Sequence, residues 1–203
     1  GIWIPKLDTW PKWSKNYETK AYMSCKTNGN LALDIGSHVG IWSKRLSKDF
    51  SQVICFEPLP IHIECHKKNC DNLNNVTLHE YALSNIETDT IMFTKPKNSG
   101  MSTLVQEYTN TGQKPNFNNQ SEVIVKTKKL DSFTFPKIDF IKIDVEGHEK
   151  EVLLGGKETI LKYLPKMYIE IWPKNLNYIS EILKSMGYNN MKKTSSNNYL
   201  CEV

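Results

Sequence analysis

A chain of 203 residues, 39% hydrophobic and 24% charged, is long enough for one well-filled core and short for two. That balance, with 10 Gly and 9 Pro, excludes a collagen-like, low-complexity or disordered chain. The formal charge of +4 would suit a nucleic-acid partner, but only Arg45 among the 26 basic residues is an arginine, which leaves almost no bidentate readers of phosphate or guanine.

Residues 1–30 stand apart as an arm in which Trp3, Trp10, Trp13, Tyr17 and Tyr22 are interleaved with lysines. Pro5 and Pro11 break any early helix, and a helical stretch is expected toward the arm's end. Its aromatics either dock the arm on the domain or form a wall for a ring-shaped ligand. From Leu31 the chain alternates strand-length apolar runs (31–35, 53–56, 76–78, 138–143, 167–171) with helical stretches near 39–49, 60–72, 148–163 and 175–186. Such alternation predicts an α/β domain over 31–203, with a mostly parallel sheet and helices on both faces. Thr90–Phe93 and Val123–Thr127 alternate apolar with polar residues and read as a small paired hairpin beside the sheet. The polar segment 95–121 between them is longer than a connection needs to be and reads as either disordered or part of a binding site.

The five cysteines, Cys25, Cys55, Cys65, Cys70 and Cys201, are odd in number and form no C-x-x-C pair. They read as reduced thiols of a cytoplasmic protein, without a disulfide framework or a zinc knuckle, which makes the sequons at Asn75 and Asn119 incidental. No apolar run approaches the roughly 18 residues of a membrane span, and no leader is visible. A chain opening on Gly1 points to a tag remnant or to one domain of a longer polypeptide.

Four strand ends carry the chemistry. In LALDIGSHVGIWS (31–43) a buried-type strand ends in Asp34 and Gly36 and enters a helix after Gly40, where a ligand can approach the backbone closely. Without Gly-Lys-Ser/Thr or G-x-G-x-x-G, a nucleotide ligand lacking phosphate fits best. In VICFEPLP (53–60), Glu57 closes the next strand about 20 residues on, where α/β sites place an acid for ribose hydroxyls. In IDFIKIDVEGHEKEVLLGG (138–156), Asp144, Glu146, His148 and Glu149 crowd one strand-to-helix corner, too many titratable groups to be packing alone. In MYIEIWP (167–173), Glu170 and Trp172 lie at the end of the following strand.

In this order the motifs resemble the FkbM-type family of S-adenosylmethionine-dependent methyltransferases over about residues 31–172. The resemblance is carried by LDIGSHVG, FEPLP, YALSN (81–85), GMST (100–103), TKKLDSF (127–133) and IKIDVEGHE running into VLLGGKETIL. His38 stands where the family more commonly has Asn. The resemblance implies a Rossmann-like class I methyltransferase fold and methyl transfer to a hydroxyl, often on a sugar. S-adenosylmethionine is then expected against Asp34, Gly36, Ser37, His38, Val39 and Gly40, with Glu57 and Pro58 at the ribose, Tyr81 and Ala82 near the adenine, and Asp144 closing the site. Asp144 is assigned to orientation, Glu146 to the general base with His148 as the alternative, and Glu170 to hydrogen bonding of the acceptor. Ser102, Thr103, Glu149 and Trp172 are expected on the substrate. Mg²⁺ bound through Asp144, Glu146 and Glu170 is possible but not favoured, because spacing alone does not make three ligands converge. The expected acceptor is a carbohydrate or glycoconjugate; the rivals are ribose 2′-O-methylation of RNA and a domain that binds nucleotide or sugar without turnover.

Overall fold

The computed structural model describes residues 1–8, 19–95, 97–105 and 121–203. Trp10, Trp13 and Tyr17 of the arm and most of the polar segment 95–121 lie outside them.

Residues 19–25 are helical and are labelled α1. In chain order there follow β1 (Gly29–Ile35), α2 (Ile41–Asp49), β2 (Phe50–Phe56), α3 (Pro60–Cys70), β3 (Val76–His79), β4 (Ala82–Leu83), β5 (Asp89–Thr94) and β6 (Ser121–Lys128). After these come β7 (Phe140–Ile143), α4 (Glu149–Gly155), α5 (Lys157–Tyr163), β8 (Lys166–Glu170), α6 (Leu176–Ser185), β9 (Asn190–Lys193) and β10 (Asn198–Glu202). Seven strands form one sheet in the order β3-β2-β1-β7-β8-β10-β9; β10 runs antiparallel to both of its neighbours and the other pairings are parallel. A second sheet, β4-β6-β5, contains the expected β5–β6 hairpin.

The two-residue period of the strands divides the core. Leu31, Leu33, Ile35, Ile141 and Ile143 face α4, α5 and α6 through Val152, Ile160 and Leu183. Ala32, Val53, Cys55 and Phe140 face α1 and α2 through Tyr22, Trp42 and Leu46. Burial on both faces explains why these strands read as continuous apolar runs. It also makes Lys142, a charged residue within the run FIKI and almost wholly buried, a place where the structure must supply partners.

Two elements differ from the sequence expectation. The stretch 148–163 is two helices, broken at Gly155–Gly156, and a Cβ on Gly155 would lie 2.0 Å from the Ser84 carbonyl oxygen, so the close packing of α4 on β4 requires glycine there. The C-terminal hairpin β9–β10 has no counterpart in the sequence expectation. The aromatic arm is tied into the domain: β1 starts at Gly29, the Tyr22 ring meets Trp42 edge-on at 5.5 Å, and its hydroxyl donates to Asp49. Trp3 stays 59% exposed, although its backbone N–H donates to Asn69 Oδ1. All five cysteines are free and buried.

Candidate active site

The sheet reverses its order between β1 and β7, and the carboxyl ends of strands on both sides of that point open into a cleft of about 530 Å³, ample for a nucleotide-sized ligand.

One end of the cleft is built on the β1 turn. Gly36 has φ 73°, and a Cβ there would fall 2.0 Å from the Asp144 carbonyl oxygen, so the turn lies directly on the end of β7. His38 is left-handed too, at φ 50°. Its N–H donates to Glu57 Oε2 at 2.9 Å, while Oε1 accepts from Leu59 N–H at 3.0 Å and His62 Nδ1 at 3.1 Å. Burial alone would raise the Glu57 pKa, but the adjacent His62 and the other donors outweigh it and hold the carboxyl below its ordinary range. Three donors on a carboxylate with about four acceptor directions leave one for a ligand hydroxyl. His38 Nε2 lies 3.2 Å from Ser99 Oγ, which donates to Asp8 at 2.5 Å, so the N-terminal segment reaches the turn through one serine. Burial and the neighbouring His62 lower the His38 pKa to about 3, which keeps the ring neutral.

Behind the turn, Ser43 Oγ donates to Asp34 at 2.7 Å, and His66 Nε2 lies 2.9 Å from the same hydroxyl. Lys142 joins the two ends of the cleft: its Nζ donates to the Gly36 carbonyl at 2.8 Å and lies 3.4 Å from Asp34 and 3.7 Å from Asp144.

At the other end, Asp144 and Glu146 from the turn after β7 and Glu170 from the end of β8 each place a carboxylate oxygen within 4.8 Å of the others. Burial, with Asp144 and then Glu149 beside it, raises the Glu146 pKa well above the ordinary value. The same causes, with Asp144 and Glu146 as neighbours and a hydrogen bond to Asp144, push Glu170 up to about 10. Like charges this close cannot all ionise, so the cluster retains protons. His148 Nε2 lies 3.0 Å from Ser84 Oγ and Nδ1 lies 3.6 Å from Glu151; burial lowers its pKa.

Of the residues singled out in the sequence, Gly36, Ser37, His38, Glu57, Pro58, Tyr81, Ala82, Ser102, Asp144, Glu146, His148, Glu170 and Trp172 line the cleft together. Five sit behind its lining. Asp34 is fully buried beneath the turn, and Val39 is buried with its carbonyl accepting from Asn69 at 2.7 Å. Gly40, at φ 85°, opens α2 against His66. Thr103 is turned to the Glu146 carbonyl, and Glu149 is buried with Oε1 accepting from Gly147 N–H at 2.9 Å. Sequence reasoning missed His62, Ser99 and Lys142 as site residues. A lysine within a strand buried on both faces was the available signal for the last; His62 lies five residues after Glu57, and Ser99 had none.

A family model described as the methyltransferase FkbM domain matches residues 34–190. The chain belongs to that family. The 2-O-methyltransferase NoeI of Sinorhizobium fredii (strain NBRC 101917 / NGR234) is 30% identical over 147 residues, covering 65% of this chain and 59% of that protein. The crystal structure of the methyltransferase FkbM from Methylobacillus flagellatus KT superposes with a TM-score of 0.62 at 15% identity, covering 91% of this chain and 48% of the other. The magnesium protoporphyrin IX methyltransferase ChlM from Synechocystis PCC 6803, solved with bound SAM, superposes with a TM-score of 0.52 at 13% identity over 93% of this chain and 76% of the other. The fold is thus that of the class I methyltransferases, and the chain spans about half the length of the FkbM structure. No helix among the described residues is long and apolar enough to cross a membrane.

Proposed function

We propose that the chain methylates a hydroxyl oxygen of a carbohydrate, using S-adenosylmethionine and releasing S-adenosylhomocysteine. The observation that carries this reading is the convergence of Asp144, Glu146 and Glu170 in the same cleft as the Gly36 turn and the bonded Glu57 carboxylate. When bound, the cofactor supplies an electrophilic methyl group on a sulfonium. The residues present fit it: Glu57 Oε2 has an acceptor direction left for a ribose hydroxyl, and Tyr81 and Ala82 form an adjoining wall for a base.

In this reading the chain's own groups prepare the acceptor. Glu146, ionised when the cluster gives up a proton, takes the hydroxyl proton as the oxygen attacks, and Asp144 and Glu170 orient the hydroxyl. Trp172 offers a flat face for a sugar ring. The three carboxylates would also suit a hard cation, and Mg²⁺ is not part of the proposal: proton sharing accounts for the crowding without it. For ribose 2′-O-methylation a catalytic lysine is needed, and Lys142, which lines the cleft, is engaged by Gly36, Asp34 and Asp144.

The test is transfer of labelled methyl from S-adenosylmethionine to methyl glycosides of common hexoses and 6-deoxyhexoses, with total RNA in parallel at low and moderate salt. Label in a glycoside that survives added salt is the expected outcome. Label in RNA alone, falling steeply with salt, would overturn the carbohydrate assignment. Activity abolished by EDTA and restored by Mg²⁺ would make the cluster a metal site.

A further inference from the structure

Glu146 is a non-glycine residue at φ 51°, a strained conformation that persists only when its surroundings enforce it. Two side chains do so, and they hold opposite ends of the same peptide unit. The Thr103 hydroxyl donates to the Glu146 carbonyl at 2.7 Å, from 43 residues away in the chain. The Gly147 N–H, on the far side of that peptide bond, donates to Glu149 Oε1 at 2.9 Å. Both holding groups are buried, so water does not compete for either bond. Thr103 is itself anchored: its backbone pairs with Phe93 of β5 in both directions, and its Oγ1 accepts from Val105 N–H at 3.0 Å.

We propose that Thr103 and Glu149 are positioning residues that clamp the Glu146–Gly147 peptide and thereby hold the Glu146 carboxylate against Asp144 and Glu170. The role rests on the reading of Glu146 as the base. The GMST and HE parts of the sequence then serve one purpose, because a loop from the hairpin and the first residue of α4 fix a single peptide whose rotation would swing the Glu146 side chain out of the cluster. A substrate contact for either residue is unnecessary to explain its place, since neither lines the cleft.

The test uses the position of Glu146 and needs no acceptor. Protein labelled with ¹³C at the glutamate side-chain carboxyls is titrated by NMR, with the Glu146 signal assigned by its loss in Glu146→Gln. In the wild type that signal is expected to titrate above ordinary glutamates, because burial and the neighbouring Asp144 raise it. Thr103→Val exchanges a hydroxyl for a methyl of similar size, and Glu149→Met removes the acceptor. Each is expected to move the midpoint down by about a unit or more as the carboxyl leaves its crowded neighbours. Thr103→Ser, which keeps a hydroxyl donor, is expected to restore the wild-type titration, and Glu149→Gln, which keeps a carbonyl acceptor but loses the charge beside Glu146, is expected to titrate above Glu149→Met. Thermal melts of each variant separate displacement from unfolding, and should Thr103→Val unfold, Glu149→Met set against Glu149→Gln gives the same comparison. Wild-type titration in both Thr103→Val and Glu149→Met would overturn the clamp. Normal turnover in Glu146→Gln would instead overturn the base assignment while leaving the clamp's geometry intact, so the two failures are distinguishable.

Discussion

The two ends of the cleft hold buried carboxylates in opposite states. Glu57 has three donors on its two oxygens and is held ionised; Asp144, Glu146 and Glu170 have one another for neighbours, and the two glutamates retain protons. Burial acts the same way at both ends, pushing each of these glutamates toward its neutral form. What differs is the supply of N–H groups: the left-handed turn at His38 and the first turn of α3 deliver donors to Glu57, whereas the β7 and β8 ends deliver more acid. One end is therefore built to present a fixed negative acceptor to a ligand, and the other to hold and release a proton. Lys142 lies between them and is bonded toward both.

The largest way to break this comparison is at the proton-holding end. Glu146→Gln is expected to lower kcat by roughly 10²–10⁴-fold, the usual share of general-base catalysis, with S-adenosylmethionine affinity nearly unchanged by calorimetry. Because the Glu146 pKa is raised, wild-type turnover should climb as pH rises through it, and the variant should lack that limb. A smaller effect is expected at the bonded end. Glu57→Ala removes a charged acceptor, and the cofactor Kd should rise by roughly 10–10²-fold, the worth of one hydrogen bond to a charged group. Unchanged affinity would remove Glu57 from the ribose.

How much of this the sequence disclosed depended on whether a feature is local. The runs 31–35, 53–56 and 138–143 were legible because a strand covered on both faces must be apolar throughout. The strand-end acids were legible because a carboxylate just past such a run has to face the sheet's edge. The left-handed turn at Glu146 was not: Gly147 beside it is the residue that advertises freedom, and the two groups enforcing the turn include one 43 residues distant. Glu149 was expected on the substrate, and only the packing of α4 reveals it turned inward. The β9–β10 hairpin escaped because β9, NMKK, is a largely exposed edge strand without an apolar pattern. The helical period ran unbroken through 148–163, where only the demand for close approach at Gly155 gives the break its reason.

The same contrast predicts opposite pH dependences of stability. Glu149, raised to about 7 chiefly by burial, stays protonated in the fold while the unfolded chain ionises near 4.5, so its contribution is present below that pH and is lost as pH rises toward 7. His38, lowered to about 3, stays neutral while the unfolded chain takes up a proton below about 6.5, so its contribution is lost as pH falls through that window. Glu149→Gln should flatten the first dependence, a change of at most about 1.4 kcal/mol per pH unit, and leave the acid-side loss intact in denaturant melts across pH 4–8. A variant that still loses stability from 4.5 to 7 with the wild-type slope would show that Glu149 is ionised in the fold.

The smallest effect is expected at His148, which lines the cleft within a few residues of the carboxylates and is the natural competitor for the role of base. Its ring is already engaged on both sides, by Ser84 Oγ at 3.0 Å and by Glu151 at 3.6 Å, and these partners point it along the β4–α4 boundary. Burial lowers its pKa, which makes the imidazole a weaker proton acceptor than free histidine, whereas burial makes the neighbouring glutamates stronger ones. The environment that would strengthen a carboxylate base thus weakens a histidine base placed beside it. His148→Phe, which keeps a flat ring of similar size and forfeits two polar contacts, should reduce kcat by less than about 10-fold and leave the alkaline rise of the rate profile in place. If His148→Phe instead abolishes turnover while Glu146→Gln retains it, the proton leaves through the imidazole, and the crowded acids serve to orient the acceptor rather than to activate it.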